Sequence, residues 1–265
     1  MTESAASTRD GVDGGFRLAD QHKAFFDSFG FLNLRGLFAA EIDQISSDFD
    51  AFFAAKRALA VAEGHQIADG GSEVPGGSAR ERIDEAFGAP VIDTYEHLNF
   101  GGHRAIVPDL LESCPELGWL KDDPRVVGTA AGLIGPGFEY FGSEGNIFDC
   151  DTSWHIDAYG APLDRFHIKL LFYLDPLDRT SGALRVLPGT NHHLDTYARQ
   201  VRPGLFDRER TESTYGLGVE EVPAHVIDNE PGDLIVVNFR TAHATFNSRG
   251  ARRLFTLNYR EPLPA

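Results

Sequence analysis

Phe166-His167-Ile168-Lys169-Leu170-Leu171-Phe172-Tyr173-Leu174 is the stretch that decides the fold. It is nearly all apolar or aromatic and is the clearest strand in the chain. Upstream, residues 138–141 and 146–150 read as a hairpin leading into Trp154-His155-Ile156-Asp157. Downstream, residues 184–187 form a short strand that ends at the turn Pro188-Gly189. Residues 219–222 and 225–227 are weaker strand candidates. Pro231-Gly232-Asp233 is a turn before an apolar strand at 234–239, and segments 243–246 and 253–259 close the series. About eight short strands separated by turns predict a double-sheet jelly roll. The expected class is mainly β with flanking helices, a cupin-like double-stranded β-helix.

The front of the chain is helical instead. Residues 19–29 place Phe25, Phe26 and Phe29 on one helical face, and Gly30 stops the helix. Residues 31–34 read as a short strand. A longer amphipathic helix is expected over 40–62, with Ile42, Ile45, Phe49, Phe52 and Phe53 at helical spacing, a packing stripe. Residues 109–120 and 124–134 complete a helical layer. Between these lies a Gly-rich loop at 63–90, broken by Gly70-Gly71 and Pro75-Gly76-Gly77. The expected organisation is a disordered leader, 1–17, and one domain, 18–265. Within that domain, 18–134 is mainly the helical layer and 135–262 the jelly-roll core.

Composition narrows the function. A chain of 265 residues, 42% apolar and 11% aromatic, can bury the core of one globular enzyme domain. A formal net charge of −16 repels phosphates and argues against nucleic-acid partners and anionic membranes. Cys114 and Cys150 are the only cysteines, so no disulfide framework is expected. No apolar signal segment or membrane-spanning run is visible, and a cytoplasmic location is the default expectation. Nothing in the sequence speaks to oligomeric state.

The chemistry lies in an ordered set: His155, Asp157, His243 and the pair Arg252-Arg253. Two imidazoles and a carboxylate can occupy one face of an octahedral metal and leave the other open, which suits iron(II) in oxygenases. An arginine beyond the distal histidine can hold a dicarboxylate such as 2-oxoglutarate by a bidentate contact. A His-x-Asp triplet alone is weak evidence, because His193 and Asp195 form a second one. Only Asp157 leaves room for several strands before His243. Two other readings use the same ligands: a non-catalytic metal-binding jelly roll, and a zinc hydrolase, which would be expected to show a nearby general base.

Several segments carry a family resemblance. Phe26-Asp27-Ser28-Phe29-Gly30-Phe31 with Leu34-Arg35-Gly36-Leu37-Phe38, the metal motif at 154–157, and Ser181-Gly182-Ala183-Leu184-Arg185-Val186-Leu187-Pro188-Gly189-Thr190 occur in the family's order. Pro231-Gly232-Asp233-Leu234 and the later His243, Asn247 and Ser248 continue it. The chain thus resembles the phytanoyl-CoA dioxygenase family of iron(II)/2-oxoglutarate oxygenases over most of residues 20–260. Segment 63–90 has no counterpart.

That resemblance implies His155, Asp157 and His243 as iron(II) ligands, 2-oxoglutarate as co-substrate and dioxygen as oxidant. It implies oxidation of a substrate, typically hydroxylation, with release of succinate and CO2; the family's name suggests an acyl-CoA, but 24 Lys and Arg against 40 Asp and Glu favour a small polar metabolite over the phosphates of CoA. Related halogenases carry a small residue at the carboxylate position, so Asp157 argues against halogenation. For the co-substrate arginine, strand alternation chooses. Arg252 shares a face with Leu254, Thr256 and Asn258, the more polar set, and is favoured over Arg253. Asn146 and Lys169 are further candidates for co-substrate contacts; a lysine inside an apolar strand needs a partner or a route to water. Trp154 is expected to pack beside the site, and His167, His192, His193 and His225 to be structural or superficial. His97, Asn99, His103 and Arg104 are expected near the substrate, on a segment that could close over the metal together with loop 63–90.

Overall fold

The computed structural model describes residues 15–62, 93–96, 103–157, 163–205 and 208–263. Two sheets face each other, with helices on the outer face of the larger one. The first segment contains α1 (Asp20–Phe29), β1 (Phe31–Leu34) and α2 (Ile42–Ala62). Two strands follow, β2 (Asp93–Glu96) and β3 (His103–Pro108), then α3 (Leu110–Ser113), a 3-10 turn at Gly118–Asp122 and α4 (Pro124–Ile134). The β half comprises β4 (Glu139–Phe148), β5 (Thr152–His155), β6 (His167–Tyr173), β7 (Leu184–Val186), β8 (His225–Ile227), β9 (Leu234–Asn238), β10 (His243–Thr245) and β11 (Arg252–Arg260). Helices α5 (Thr196–Leu205) and α6 (Arg208–Tyr215) lie between β7 and β8.

The larger sheet runs β1-β9-β6-β11-β4-β3-β2 and the smaller β5-β10-β7-β8, with antiparallel pairing throughout. This is the expected double-stranded β-helix with flanking helices. Alternation along the strands sorts side chains into separate cores. One face of the larger sheet presents Leu170, Phe172, Val236, Phe255, Leu257 and Tyr259 to Phe26, Phe38, Ile45, Phe49 and Phe53 of the helical layer. Phe172 stacks on Phe255 with ring centroids 4.6 Å apart. The other face turns Leu171, Tyr173, Ile235, Val237 and Leu254 toward Leu184, Val186 and Ile227 of the smaller sheet. The strand at 166–174 therefore lacks polar alternation because both its faces are covered.

Several boundaries differ from expectation. Phe16, expected in the leader, packs against the core, and Leu18 is buried. Strands β2 and β3 stand where the helical layer was expected and widen the larger sheet. The helix expected at 109–120 is broken, because Pro115 has no amide donor and Cys114 before it is extended. The hairpin expected from 138 to 150 is one strand, β4, held extended by pairing with β11 along its length. Segment 219–222 is a turn, with the Glu221 amide donating to the Gly218 carbonyl at 2.9 Å, and α5 and α6 were not expected. On α1 only Phe26 is buried; Phe25 and Phe29 remain partly exposed, packed on each other. Gly30 closes α1 at φ +81°, and a Cβ there would lie 2.1 Å from the Thr241 hydroxyl. Loop 63–90 lies outside the described residues.

Candidate metal centre and its surroundings

Strand pairing creates the centre. His155 and His243 are directly opposite in the β5–β10 ladder, so their rings leave the same face, 4.2 Å apart. The adjacent residues Trp154 and Ala244 point the other way, into a small apolar cluster with Phe246, where the Trp154 indole donates to the Val219 carbonyl at 2.8 Å. Trp154 thus packs behind the site, as expected. Asp157 lies just past the end of β5, held by its amide donating to the Phe239 carbonyl at 2.9 Å. One ligand atom from each of His155, Asp157 and His243 falls within 4.8 Å of the others. Asp157 Oδ2 is 3.8 Å from Nε2 of His243.

Both imidazoles are prepared as ligands. Nδ1 of His155 faces the Ser153 carbonyl at 2.8 Å, and Nδ1 of His243 the Thr241 carbonyl at 2.9 Å. A carbonyl only accepts, so Nδ1 carries the proton and Nε2 presents its lone pair. Burial, and then the neighbouring His243, push the His155 pKa down to about 3. Burial likewise lowers that of His243. Both rings are therefore neutral near pH 7. Burial alone would raise the Asp157 pKa, but Lys169 and the two histidines outweigh it and hold the carboxylate well below the usual range.

Lys169 reaches that carboxylate directly. Its Nζ donates to Asp157 Oδ1 at 2.7 Å and sits 5.3 Å from the centre of the Phe239 ring. Two positions earlier on β6, His167 is buried, stacked on Phe239 at 5.3 Å and edge-on to Phe141 at 5.4 Å. The Nδ1 of His167 faces the Arg165 carbonyl at 2.8 Å, and its i, i+2 relation to Lys169 places both on the inner face.

Arg252 and Arg253 part company as alternation requires. Arg252 is 3% exposed, and its guanidinium donates to the carbonyls of Gly182 (2.8 Å) and Cys150 (2.6 Å). Its Nε is buried without a hydrogen-bond partner among the described residues. The close approach needs Gly182, where a Cβ would lie 3.1 Å from Arg252 Cδ. Arg253 is on the opposite face, ion-paired with Asp175 at 2.7 Å and Asp50 at 2.6 Å. Asn146 pairs with Leu254 in the register, is 1% exposed and donates to Glu144 at 2.8 Å. Lys169 aligns instead with Asn258. That row is six residues along β11 from Arg252. Lys169 and Arg252 thus lie on one inner face in different rows, with Asn146 close to the row of Arg252.

The other candidates scatter. His193 and Asp195 lie on an exposed segment away from any metal grouping among the described residues. His225 is exposed against Phe31, and the His192 ring approaches the Ser28 carbonyl. His103 and Arg104 belong to β3, where Arg104 pairs in register with Phe148, so this part is sheet and not a free lid segment. His97 and Asn99 lie outside the described residues.

A double-stranded β-helix with two histidines and a carboxylate at one end fits the non-haem metal oxygenase class. The sequence profile described as phytanoyl-CoA dioxygenase (PhyH) matches residues 120–254, just over half of the chain, and the chain belongs to that family. It is an iron(II)- and 2-oxoglutarate-dependent oxygenase, and the donor set fits the metal: neutral imidazoles and a hard carboxylate. Among solved structures it is similar to the non-heme alpha ketoglutarate dependent carbocyclase SnoK from nogalamycin biosynthesis. The two share 18% identity at a TM-score of 0.58, over 94% of this chain and 87% of that one. HygX from Streptomyces hygroscopicus with iron bound gives 17% identity and a TM-score of 0.60, over 93% and 88%. EvdO2 from Micromonospora carbonacea var. aurantiaca complexed with 2-oxoglutarate gives 17% and 0.57, over 95% and 94%. At these identities the likeness is one of fold. No curated protein matches the sequence significantly. Among the described residues no helix is long and apolar enough to cross a membrane.

Proposed function

We propose that His155, Asp157 and His243 hold iron(II), that Arg252 receives the far carboxylate of 2-oxoglutarate, and that the enzyme hydroxylates a small polar metabolite. The observation that carries this reading is the ladder pairing of His155 with His243, both Nδ1 atoms tied to backbone carbonyls and Asp157 beside them. Iron(II) bound there, with 2-oxoglutarate and dioxygen, supplies the oxidation of a C–H bond, releasing succinate and CO2. The chain's own residues orient and enclose. The backbone carbonyls at 153 and 241 fix the imidazoles. Arg252, with its terminal nitrogens on the Gly182 and Cys150 carbonyls, offers its buried Nε to a carboxylate. Asn146 lies close to the same row, and Lys169 adds positive charge beside the metal ligands for the dianionic co-substrate.

The substrate enters at the end of the inner face that carries Phe141, His167 and Phe239, of which Phe141 is 36% exposed. Such aromatics, next to a buried ammonium, suit a polar molecule with an apolar ring or edge. HygX, one structure of this fold, is described with hygromycin B bound, and SnoK belongs to nogalamycin biosynthesis. A natural-product intermediate is the class favoured here; His103 and Arg104, which stand by the row of Phe148 and Arg252 and not by Phe141 and His167, are not among the contacts at this entrance. The test is a metabolite screen reading 2-oxoglutarate-dependent succinate release above the uncoupled background. Substrate-dependent succinate that vanishes with His243→Ala supports the reading. Turnover that persists in that variant sinks it.

A further inference from the structure

Lys169 is joined to the metal centre in a way that metal binding alone does not require. Asp157 is 2% exposed, and its Oδ1 accepts from the Lys169 ammonium at 2.7 Å, while Oδ2 is the oxygen turned toward His243 Nε2. The lysine stem rises from the middle of the larger sheet, between Asn258 and Val237 in register, and the ammonium lies against Phe239. It is placed, not swinging: its side chain is 12% exposed. We infer that Lys169 is a positioning residue that limits Asp157 to one metal-binding oxygen and makes the centre trade metal affinity for affinity toward the anionic co-substrate.

This rests on the iron site proposed above, and three physical effects share one sign. Without metal, the buried Asp157 carboxylate needs a counter-charge, and the ammonium supplies it. With a divalent cation bound, the same ammonium repels it across a short, poorly screened distance. By occupying Oδ1, the ammonium also prevents the carboxylate from closing on the metal with both oxygens, which would consume a position that the chelating co-substrate needs. Each effect weakens the metal-bound state relative to the free state. For 2-oxoglutarate the sign is opposite. A cation beside the chelating end attracts the dianion, and the free coordination position admits it. An ordinary structural lysine would move both affinities the same way.

The test needs no turnover. Lys169→Met and Lys169→Gln are titrated with Ni(II), and the Ni(II)-loaded proteins are then titrated with 2-oxoglutarate, both by calorimetry. The expected result is Ni(II) bound about tenfold or more tighter than by the unsubstituted protein, and 2-oxoglutarate about tenfold or more weaker. Metal-free Lys169→Met should melt at a lower temperature than the unsubstituted protein, with the gap closing once Ni(II) is added. If it folds only with Ni(II) present, its folded fraction should rise with metal, read by circular dichroism, which carries the same meaning. Ni(II) affinity unchanged or weaker in both variants would overturn the inference. Failure of the unsubstituted protein to bind Ni(II) at all would instead overturn the iron-site reading itself.

Discussion

Arg252 and Arg253 are neighbours in sequence and strangers in space. One is buried between the sheets, its guanidinium on two backbone carbonyls. The other is on the helix-covered face, held by two carboxylates. The same division runs along the whole larger sheet. Its outer face is aromatic and closed, with Phe172 and Phe255 stacked under Phe49 and Phe38. Its inner face mixes apolar rows with polar ones, with Lys169 beside the metal ligands and Arg252 in a different row. One face stores stability and the other spends some of it on unpaired or crowded charge. Removing inner-face residues should therefore change binding first, and removing outer-face residues should change stability first.

The strongest way to break this division is at the ladder pair. His155→Ala or His243→Ala should abolish iron binding and substrate-dependent turnover, measured by metal analysis and succinate release, while the melting temperature of the metal-free protein changes little. A collapse of the fold instead would place these histidines among the stability residues. Next in size, Phe255→Ala on the closed face should cost about 3–5 kcal/mol of unfolding free energy, since a fully buried ring leaves a cavity. Chemical denaturation measures that, and metal affinity of the folded fraction should stay unchanged.

Arg252→Ala should then weaken the co-substrate by about 2–4 kcal/mol, roughly 30- to 700-fold in the apparent 2-oxoglutarate requirement. Arg253→Ala should leave that requirement untouched and cost about 1 kcal/mol of stability, because its partners are partly solvated. The reverse ranking would mean that the arginines have exchanged roles. The smallest effect is expected for Trp154→Phe, which loses the indole hydrogen bond to Val219 behind the site, about 1 kcal/mol, with unaltered metal affinity.

Much of this was legible in the chain. The run at 166–174, the turns at Pro188-Gly189 and Pro231-Gly232-Asp233, and the order of His155, Asp157, His243 and Arg252 indicated the jelly roll and grouped the site. Alternation placed Arg252 between the sheets because a strand has only two faces. Element edges read less well. The turn at 219–222 carries Val219 and Val222 like a strand, but those side chains serve an apolar cluster behind the metal and no ladder. Strand β2 escaped notice because it is a short polar strand at the edge of the sheet, whereas β3 is an inner strand whose apolar run, Ala105-Ile106-Val107, is short and does not stand out as one.

Residue types, periodicity and spacing are local properties, and they alone determined the fold class, the candidate ligands and the face on which Arg252 lies. What the tertiary structure decided is which distant groups meet. It set His155 opposite His243, turned their Nδ1 atoms to the carbonyls at 153 and 241, and brought Lys169 to Asp157 rather than toward Arg252. These depend on sheet register and on the end of the sheet at which a side chain emerges. A shift of two residues keeps every side chain on its face but changes its partner, so the hydrophobic pattern records the face and leaves the partner to the packed structure.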